Sequence, residues 1–373
     1  MPRYRSPIPG MSTASLVRRL LSLLLGGSRR RKRGDSLLGL LVLVILLLLV
    51  GLYKGESTES AVEPVHIGDA PQEQLAAPED LRTDARSNEA RSADARDPAA
   101  QQTFVFLMHN VENYFVDDAE GRSKYRLKMK PVAEREAVAD VIASAKPSIV
   151  GLVEIGGPRA LQDLRERLRR RGLEYPYFVV LTRNGEDRAL GLLSQLPIVS
   201  NDSKANYGLY GQQRRKMLRG ILDVTVQAKD GRRFRIFGAH LKSRVSSDPA
   251  AAASLRKREA QTLALYINAV TKRQPNMPVL VFGDWNDGPK DESIQVLMKT
   301  GGNRGLRRLS PEDSDGGTWT LYYKAGSEYR TFDQIFVNSV LQRRMGSKSR
   351  SGIVDIRNAS RASDHRAVWC ELR

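Results

Sequence analysis

Hydrophobic and polar positions divide the chain into three unlike stretches. From Ser36 to Tyr53, SLLGLLVLVILLLLVGLY is apolar on every face and carries no charged side chain. As a helix this run spans about 27 Å, close to the thickness of a hydrocarbon core, with Tyr53 suited to an interface. A transmembrane helix is therefore predicted over 36–53. The stretch 54–100 has no Phe, Trp or Tyr and is dominated by Ala, Asp, Glu, Arg, Ser and Pro. Such a composition buries too little apolar surface to offset the entropy of ordering, so a disordered linker is expected there.

From residue 101 short apolar runs alternate with helical periods. QTFVFLMH, SIVGLVEI, YPYFVVLT, ALGLLSQLPIV, MPVLVFGD, RTFDQIFVN and DHRAVWCEL have the β-branched and aromatic content of strands. In RGILDVTVQAKDGRRFRIFGAHLKS the Lys229-Asp230-Gly231 segment reads as a hairpin turn. PVAEREAVADVIASAKP puts Val132, Val138, Val141 and Ile142 near one helical face, and ALQDLRERLRRRG is amphipathic and ends at Gly172. Regular strand-helix alternation stops near residue 175, which excludes a barrel of eight βα units. One mixed α/β domain over 101–373 is the economical reading.

Charge sharpens this division. Residues 1–53 hold nine basic side chains against Asp35, and 54–100 hold five against eleven acidic ones. The totals of 60 and 42 therefore leave 46 basic and 30 acidic residues in 101–373, a net +16. A domain this basic suits a polyanionic partner, nucleic acid above all, although an arginine-rich soluble face has the same composition. SRRRKRGD directly precedes the apolar run, so residues 1–35 are expected on the cytoplasmic side and the domain outside, with a cleaved signal peptide as the alternative that would make the protein secreted. MSTASLVRRLLSLLLGG, interrupted by Arg18 and Arg19, suits a surface helix better than a second span. Cys370 is the only cysteine, which excludes an internal disulfide and a cysteine-built zinc site.

Several strands end in reactive side chains: Asn110 and Glu112, Glu154, His240, Asp284 and Asn286, Asp333, and Ser363, Asp364 and His365 before the last strand. One carboxylate at a strand end is commonly a turn former. Six such ends together point to a shared cleft. Oxygen donors in Glu154, Asp284 and Asn286 suit Mg²⁺ or Mn²⁺, with Ca²⁺ also compatible, better than zinc. His365 oriented by Asp333 could move a proton, and His240 could donate to a phosphoryl oxygen. Hydrolysis of a phosphate ester uses these roles together. No Walker loop is present, which argues against nucleotide-driven transfer.

HNVENYF, GLVEI, ALGLLSQLPIV, GAHLKS, GDWND, DQIFVN and ASDHRAVW occur in this order, and with them residues 103–373 resemble the endonuclease/exonuclease/phosphatase family. The resemblance implies a DNase I-like fold, a four-layer αββα sandwich, and metal-dependent phosphoesterase activity. It places Asn110, Glu154, Asp364 and Asp284 near the metal and gives His240 a phosphate contact. Asp284 and Asn286 would position water and phosphate, and Asp333 would pair with His365. HNVENYF is similar to the opening of secreted or surface bacterial members, some of them extracellular nucleases, which implies a bacterial inner-membrane protein facing the periplasm or exterior. His109, by alternation, is expected to be structural, and Trp285 to plug the core beneath its turn.

Arg219, before a strand, and Arg366, after His365, are candidate substrate contacts. The basic stretches QQRRKMLRG, KSRVSSDPAAAASLRKREAQ and LQRRMGSKSRSG could track a nucleic-acid backbone, with Tyr207 or Tyr210 stacking on a base. The leading expectation is a membrane-anchored nuclease acting on DNA or RNA. A phospholipid or inositol phosphate substrate is the alternative, and a non-catalytic binding protein is the third reading.

Overall fold

Alternation along two central strands sets the layers. In β1 (Phe104–Tyr114), Phe106 and Met108 turn to one face and Leu107 and Val111 to the other. In β10 (Val279–Asp284), Leu280 and Phe282 face the same interior, while Val279 and Val281 face away. Each strand thus serves two apolar layers, which is why both read as nearly continuous hydrophobic runs. The computed structural model describes residues 102–117, 128–183, 186–299, 305–347 and 349–373, all in one compact unit within Val65–Arg373.

The remaining strands are β2 (Ile149–Ile155), β3 (Tyr177–Arg183), β4 (Glu186–Ser194), β5 (Ile198–Asn201), β6 (Gly208–Leu209), β7 (Gln212–Lys216), β8 (Leu222–Gln227), β9 (Arg233–His240), β11 (Arg307–Arg308), β12 (Leu321–Tyr323), β13 (Glu328–Arg330), β14 (Asp333–Val337), β15 (Ser351–Ile353) and β16 (Val368–Leu372). One six-stranded sheet runs β15-β16-β1-β2-β4-β3 and the other β11-β14-β10-β9-β8-β5, while β6-β7 and β12-β13 form separate hairpins. Among the described strands only β1-β2 and β9-β10 pair in parallel. Their crossovers contain α1 (Val132–Ser144) and α3 (Pro249–Arg273), as a parallel connection requires. α2 (Pro158–Arg169) follows β2, and α4 (Glu292–Lys299) follows β10.

Phe106, Met108, Ile149 and Val153 of the first sheet meet Leu222, Ile236, Phe282 and Ile335 of the second. Val138, Ile142, Leu161 and Leu164 of α1 and α2 cover the outer face of the first sheet. Leu263, Ile267, Ile294 and Leu297 of α3 and α4 cover the outer face of the second. The order of layers is therefore αββα. Phe282 sits at the centre, against Phe106 with ring centroids 5.4 Å apart. Its ring fills the space beside Gly151 and Gly238, where an added Cβ would lie 2.7 Å from it in either case. Burying such a side chain is worth about 1.5–3 kcal/mol. Trp285 is fully buried and donates from Nε1 to the Gln334 carbonyl at 3.0 Å, so it does plug the core beneath its turn.

Two local expectations are revised. Val132 is the first residue of α1 and is exposed, while Val138, Val141 and Ile142 are buried. Tyr207 packs edge-on against Tyr266 at 5.1 Å and belongs to the core margin.

The membrane topology is corrected. Among the described residues no helix is long and apolar enough to cross a membrane. The longest one, α3, carries Arg256, Lys257, Arg258 and Glu259 in succession. The predicted span over 36–53, like the segments 1–35 and 54–100, lies outside the described residues. No transmembrane helix is part of the described fold, and neither the lipid-bilayer anchor nor the inner-membrane location facing the periplasm is carried into the functional reading.

Candidate active site

Strand register assembles the site. Asp284, the last residue of β10, pairs with His240 at the end of β9 and with Asp333 at the start of β14. Three polar side chains thus stand on adjacent strands at one edge of the second sheet. Across the sandwich, the parallel β1-β2 pair ends with Asn110 opposite Val153, next to Glu154. Both strands are irregular here: Glu112, Asn113 and Glu154 have φ of 44°, 51° and 65°. The bulge lets the strands leave the ladder and re-aim these side chains. Asn286 has φ 51°, in a turn closed by its own N–H donating to Asp284 Oδ1 at 2.9 Å.

Asp284 Oδ2 is the meeting point. It accepts from Asn110 Nδ2 at 3.0 Å and lies 3.5 Å from His240 Nε2 and 3.9 Å from His365 Nε2. His365 Nδ1 is 2.7 Å from Asp333 Oδ2, a carboxylate that can only accept, so Nδ1 carries the proton. His365 Nε2 then faces Asp284 and also Asp364 Oδ1, at 3.8 Å. Ser363 holds the loop by donating to the Asn110 carbonyl at 2.8 Å and accepting from the His365 N–H at 3.0 Å. Asn286 Nδ2 is occupied by the Leu241 carbonyl at 3.1 Å.

The electrostatics follow from burial and these neighbours. Burial works against a charged His365, but the Asp333 carboxylate, with Asp284 and Asp364 behind it, holds its pKa well above the ordinary value. Burial pushes Asp284 up to about 7, with His365 pulling it down and Asp333 and Glu154 adding to the rise. His240 is pushed well below its ordinary value by burial and then by Arg219, Arg188 and His365, so it is a neutral imidazole. Its Nε2 faces the Asp284 and Glu154 carboxylates, the latter at 3.8 Å, and therefore bears the hydrogen.

The structure brings Asn110, Glu154, His240, Asp284, Asn286, Asp333, Asp364 and His365 together. Arg219 adjoins them: it is buried, 3.7 Å from Glu186 and 3.4 Å from the Leu241 carbonyl. Arg366 is not among them. Its guanidinium bonds Asp313 at 2.7 Å and stacks 4.2 Å from the Trp319 ring centroid. His109 is buried with Nε2 3.3 Å from the His365 carbonyl, beneath the site.

Other residues join that sequence reasoning did not single out. Arg188 of β4 lies 3.2 Å from Glu154 Oε2 and donates to Asn113 Oδ1 at 2.7 Å. Nothing distinguishes it in sequence from 45 other cations of the domain. Glu259 of α3 is fully buried and accepts from the backbone N–H of Leu218 at 2.9 Å and of Lys242 at 2.7 Å, tying down the segments beside Arg219 and His240. It had a signal: an acidic residue inside the apolar stripe Ala252, Ala260, Leu263, Ile267.

A divalent cation fits this chemistry. Among the described residues no three His, Cys, Asp or Glu side chains form a ready cage. Mg²⁺ needs none, since it takes one or two carboxylates and completes its shell with water and substrate oxygens. Asp364 Oδ1 and Asp333 Oδ1 are buried without a hydrogen-bond partner, and an uncompensated carboxylate oxygen costs free energy that a cation offsets.

Solved structures share the fold. The catalytic domain of human Nocturnin with bound sulfate aligns at TM-score 0.51 with 17% identity, covering 73% of this chain and 94% of that one. Beta toxin from Staphylococcus aureus aligns at 0.52 with 14% identity, covering 72% and 99%. Sphingomyelinase C from Streptomyces griseocarneus aligns at 0.51 with 16% identity, covering 73% and 100%. No curated protein matches the chain in sequence. The model of the Endonuclease/Exonuclease/phosphatase family matches residues 125–365, well over half of the chain. With both sheets, their shared edge and that match in agreement, the chain belongs to the Endonuclease/Exonuclease/phosphatase family, a family of metal-dependent phosphoesterases.

Proposed function

We propose that this protein is a Mg²⁺- or Mn²⁺-dependent hydrolase of phosphodiesters, with nucleic acid as its substrate class. The observation that carries the reading is the convergence on Asp284 Oδ2 of Asn110, His240 and the His365–Asp333 pair. The net charge of +16 over 101–373 supports a polyanionic substrate.

Asn110, Glu154 and Asp364 would hold the cation, with Asp284 beside it. Once bound, the ion would polarise a phosphoryl oxygen and offset charge on the leaving oxygen. Asp284 orients the attacking water and takes its proton, its buried Oδ2 being the point on which Asn110, His240 and His365 converge. The water oxygen bonds phosphorus as the opposite P–O bond breaks, and the electron pair leaves with the ester oxygen. His365, charged and fixed by Asp333, stabilises the anionic transition state and can return a proton to the leaving oxygen. His240 donates Nε2–H to a non-bridging oxygen, and buried Arg219 adds positive charge nearby. Asn286 fixes the turn that aims Asp284.

Purified full-length protein should hydrolyse bis(p-nitrophenyl) phosphate and cut DNA or RNA in Mg²⁺ or Mn²⁺, lose both activities in EDTA, and regain them on adding the ion. Turnover of sphingomyelin or an inositol phosphate alone would replace the substrate class. Inertness toward every ester with Mg²⁺, Mn²⁺ and Ca²⁺ would remove the reaction.

A further inference from the structure

The β12-β13 hairpin carries more exposed aromatic surface than its packing requires. Tyr329 is 64% exposed and Tyr323 36% exposed. Trp319, Tyr329 and Tyr322 form a run of rings with centroids 4.8 and 5.0 Å apart. Two ion-paired arginines pack on these rings: Arg366, buried against Asp313, is 4.2 Å from the Trp319 centroid, and Arg330, paired with Glu328, is 5.0 Å from that of Tyr323.

This surface is joined to the candidate active site by backbone. Leu321 forms a β-bridge with His365, Tyr322 N–H donates to the Asp364 carbonyl at 3.3 Å, and Arg366 N–H donates to the Thr320 carbonyl at 2.7 Å. Thr320 Oγ1 accepts from Asp333 N–H at 3.0 Å. Tyr329 stands directly opposite Tyr322 in the ladder, one strand spacing from the segment bound to the His365 loop. The ring-bearing hairpin and the His365–Asp364 loop are thus successive strands of one backbone ladder.

We propose that this hairpin is a stacking platform that takes a nucleobase of a single-stranded nucleic acid next to the scissile phosphate, with Tyr329 as its principal face. The inference rests on the phosphodiesterase reading of the site and narrows its substrate. Flat, partly exposed rings suit the face of a nucleobase. A bilayer is the weaker occupant because the hairpin tip is Lys324-Ala325-Gly326-Ser327-Glu328, polar and charged where an inserting tip would be apolar. Arg214, Arg215 and Lys216 on the β6-β7 hairpin are also exposed, and among the described residues none has a carboxylate partner. Such side chains suit the anionic backbone of a nucleic acid.

The test measures fluorescence anisotropy of full-length protein in Mg²⁺ with two cleavage-resistant phosphorothioate strands of equal length, one with bases and one abasic. Tyr329→Ala should weaken binding of the base-bearing strand about tenfold and that of the abasic strand less than about twofold. Tyr329→Phe, which keeps the ring, should bind like wild type. Equal weakening on both strands, or none on either, overturns the platform. So does loss of binding to sphingomyelin–phosphatidylcholine vesicles with strand affinity intact, which would assign the rings to a lipid surface. Hydrolysis of bis(p-nitrophenyl) phosphate by wild type is read separately: its absence sinks the phosphodiesterase reading, whereas the strand comparison judges the platform.

Discussion

Two buried carboxylates on the second sheet, Asp223 in β8 and Asp284 in β10, meet unlike neighbours and end differently. Asp223 Oδ1 accepts from Arg235 Nε at 2.8 Å, and Oδ2 accepts from Arg235 Nη2 and the Tyr266 hydroxyl, each at 2.7 Å. Arg235 spends its remaining donors on Asp202 and Gln274 at 3.1 Å. That network closes on itself. Around Asp284, by contrast, Asp333 Oδ1, Asp364 Oδ1 and His240 Nδ1 are buried without partners, and most approaches to Asp284 Oδ2 exceed 3.4 Å. A closed network contributes rigidity, while an open one keeps lone pairs and N–H groups for something that is not part of the chain.

Substituting the two aspartates separates these roles most sharply. Asp284→Ala is expected to lower kcat by a factor between about 10² and 10⁴ in the phosphodiesterase assay, the range for losing a positioned acid or base. Its unfolding midpoint in urea should move less than that of Asp223→Ala. Asp223→Ala should lose about 3–5 kcal/mol of stability, because it strands the buried Arg235 charge, while the folded fraction keeps its kcat. A variant of Asp223 that unfolds no more easily, or an Asp284 variant that unfolds first, would erase the distinction.

A smaller effect tests whether the core is indifferent to the site above it. Gly151→Ala places a methyl carbon against the Phe282 ring and should cost about 1–3 kcal/mol by overpacking. Gly151 lies three residues before Glu154 on the same strand, so a displaced β2 also moves a proposed ligand. The expected signature is lower stability with a raised half-saturation concentration for Mg²⁺. Loss of stability with an unchanged Mg²⁺ requirement would show that the bulge at Glu154 isolates the site from core strain.

What the sequence revealed about this arrangement had a physical basis. Strand-end residues such as Asp284, Asp333 and Glu154 were legible because apolar runs of β-branched residues stop abruptly at them; runs such as VLVFGD and SIVGLVEI gave a mixed α/β domain, and the two-sheet sandwich was implied by the family resemblance. The closed and open networks were not legible. Asp223 sits in LDVTVQ as one more polar residue of an alternating strand, and its partners lie 12 and 43 positions away. Arg366 followed His365 in sequence and was expected at substrate, yet successive residues at a strand entry point to opposite sides, which takes it to Asp313 and Trp319. The tyrosines of the β12-β13 hairpin were passed over because exposure cannot be read from a short polar-flanked segment.

His109 stands between the two kinds of environment and gives the smallest and most specific effect. Its Nε2 must donate to the His365 carbonyl at 3.3 Å, since a carbonyl only accepts, and its Nδ1 is buried without a partner. Burial lowers its pKa to about 3, so it is neutral in the folded protein. Replacing it with Leu loses one modest hydrogen bond and also removes the unpartnered nitrogen, so at pH 7 the two effects offset and stability should change by less than about 1 kcal/mol. Acidification separates the proteins. A histidine whose folded pKa lies below its unfolded value favours unfolding as pH falls from 6.5 toward 3, because only the unfolded chain takes up the proton. At pH 5 this should cost wild type roughly 2 kcal/mol that His109→Leu does not lose. Urea denaturation of both proteins at pH 7 and pH 5 reads the difference directly. Parallel losses in the two proteins would mean that His109 reaches solvent or a proton donor, and would move it from the scaffold into the open network of Asp284.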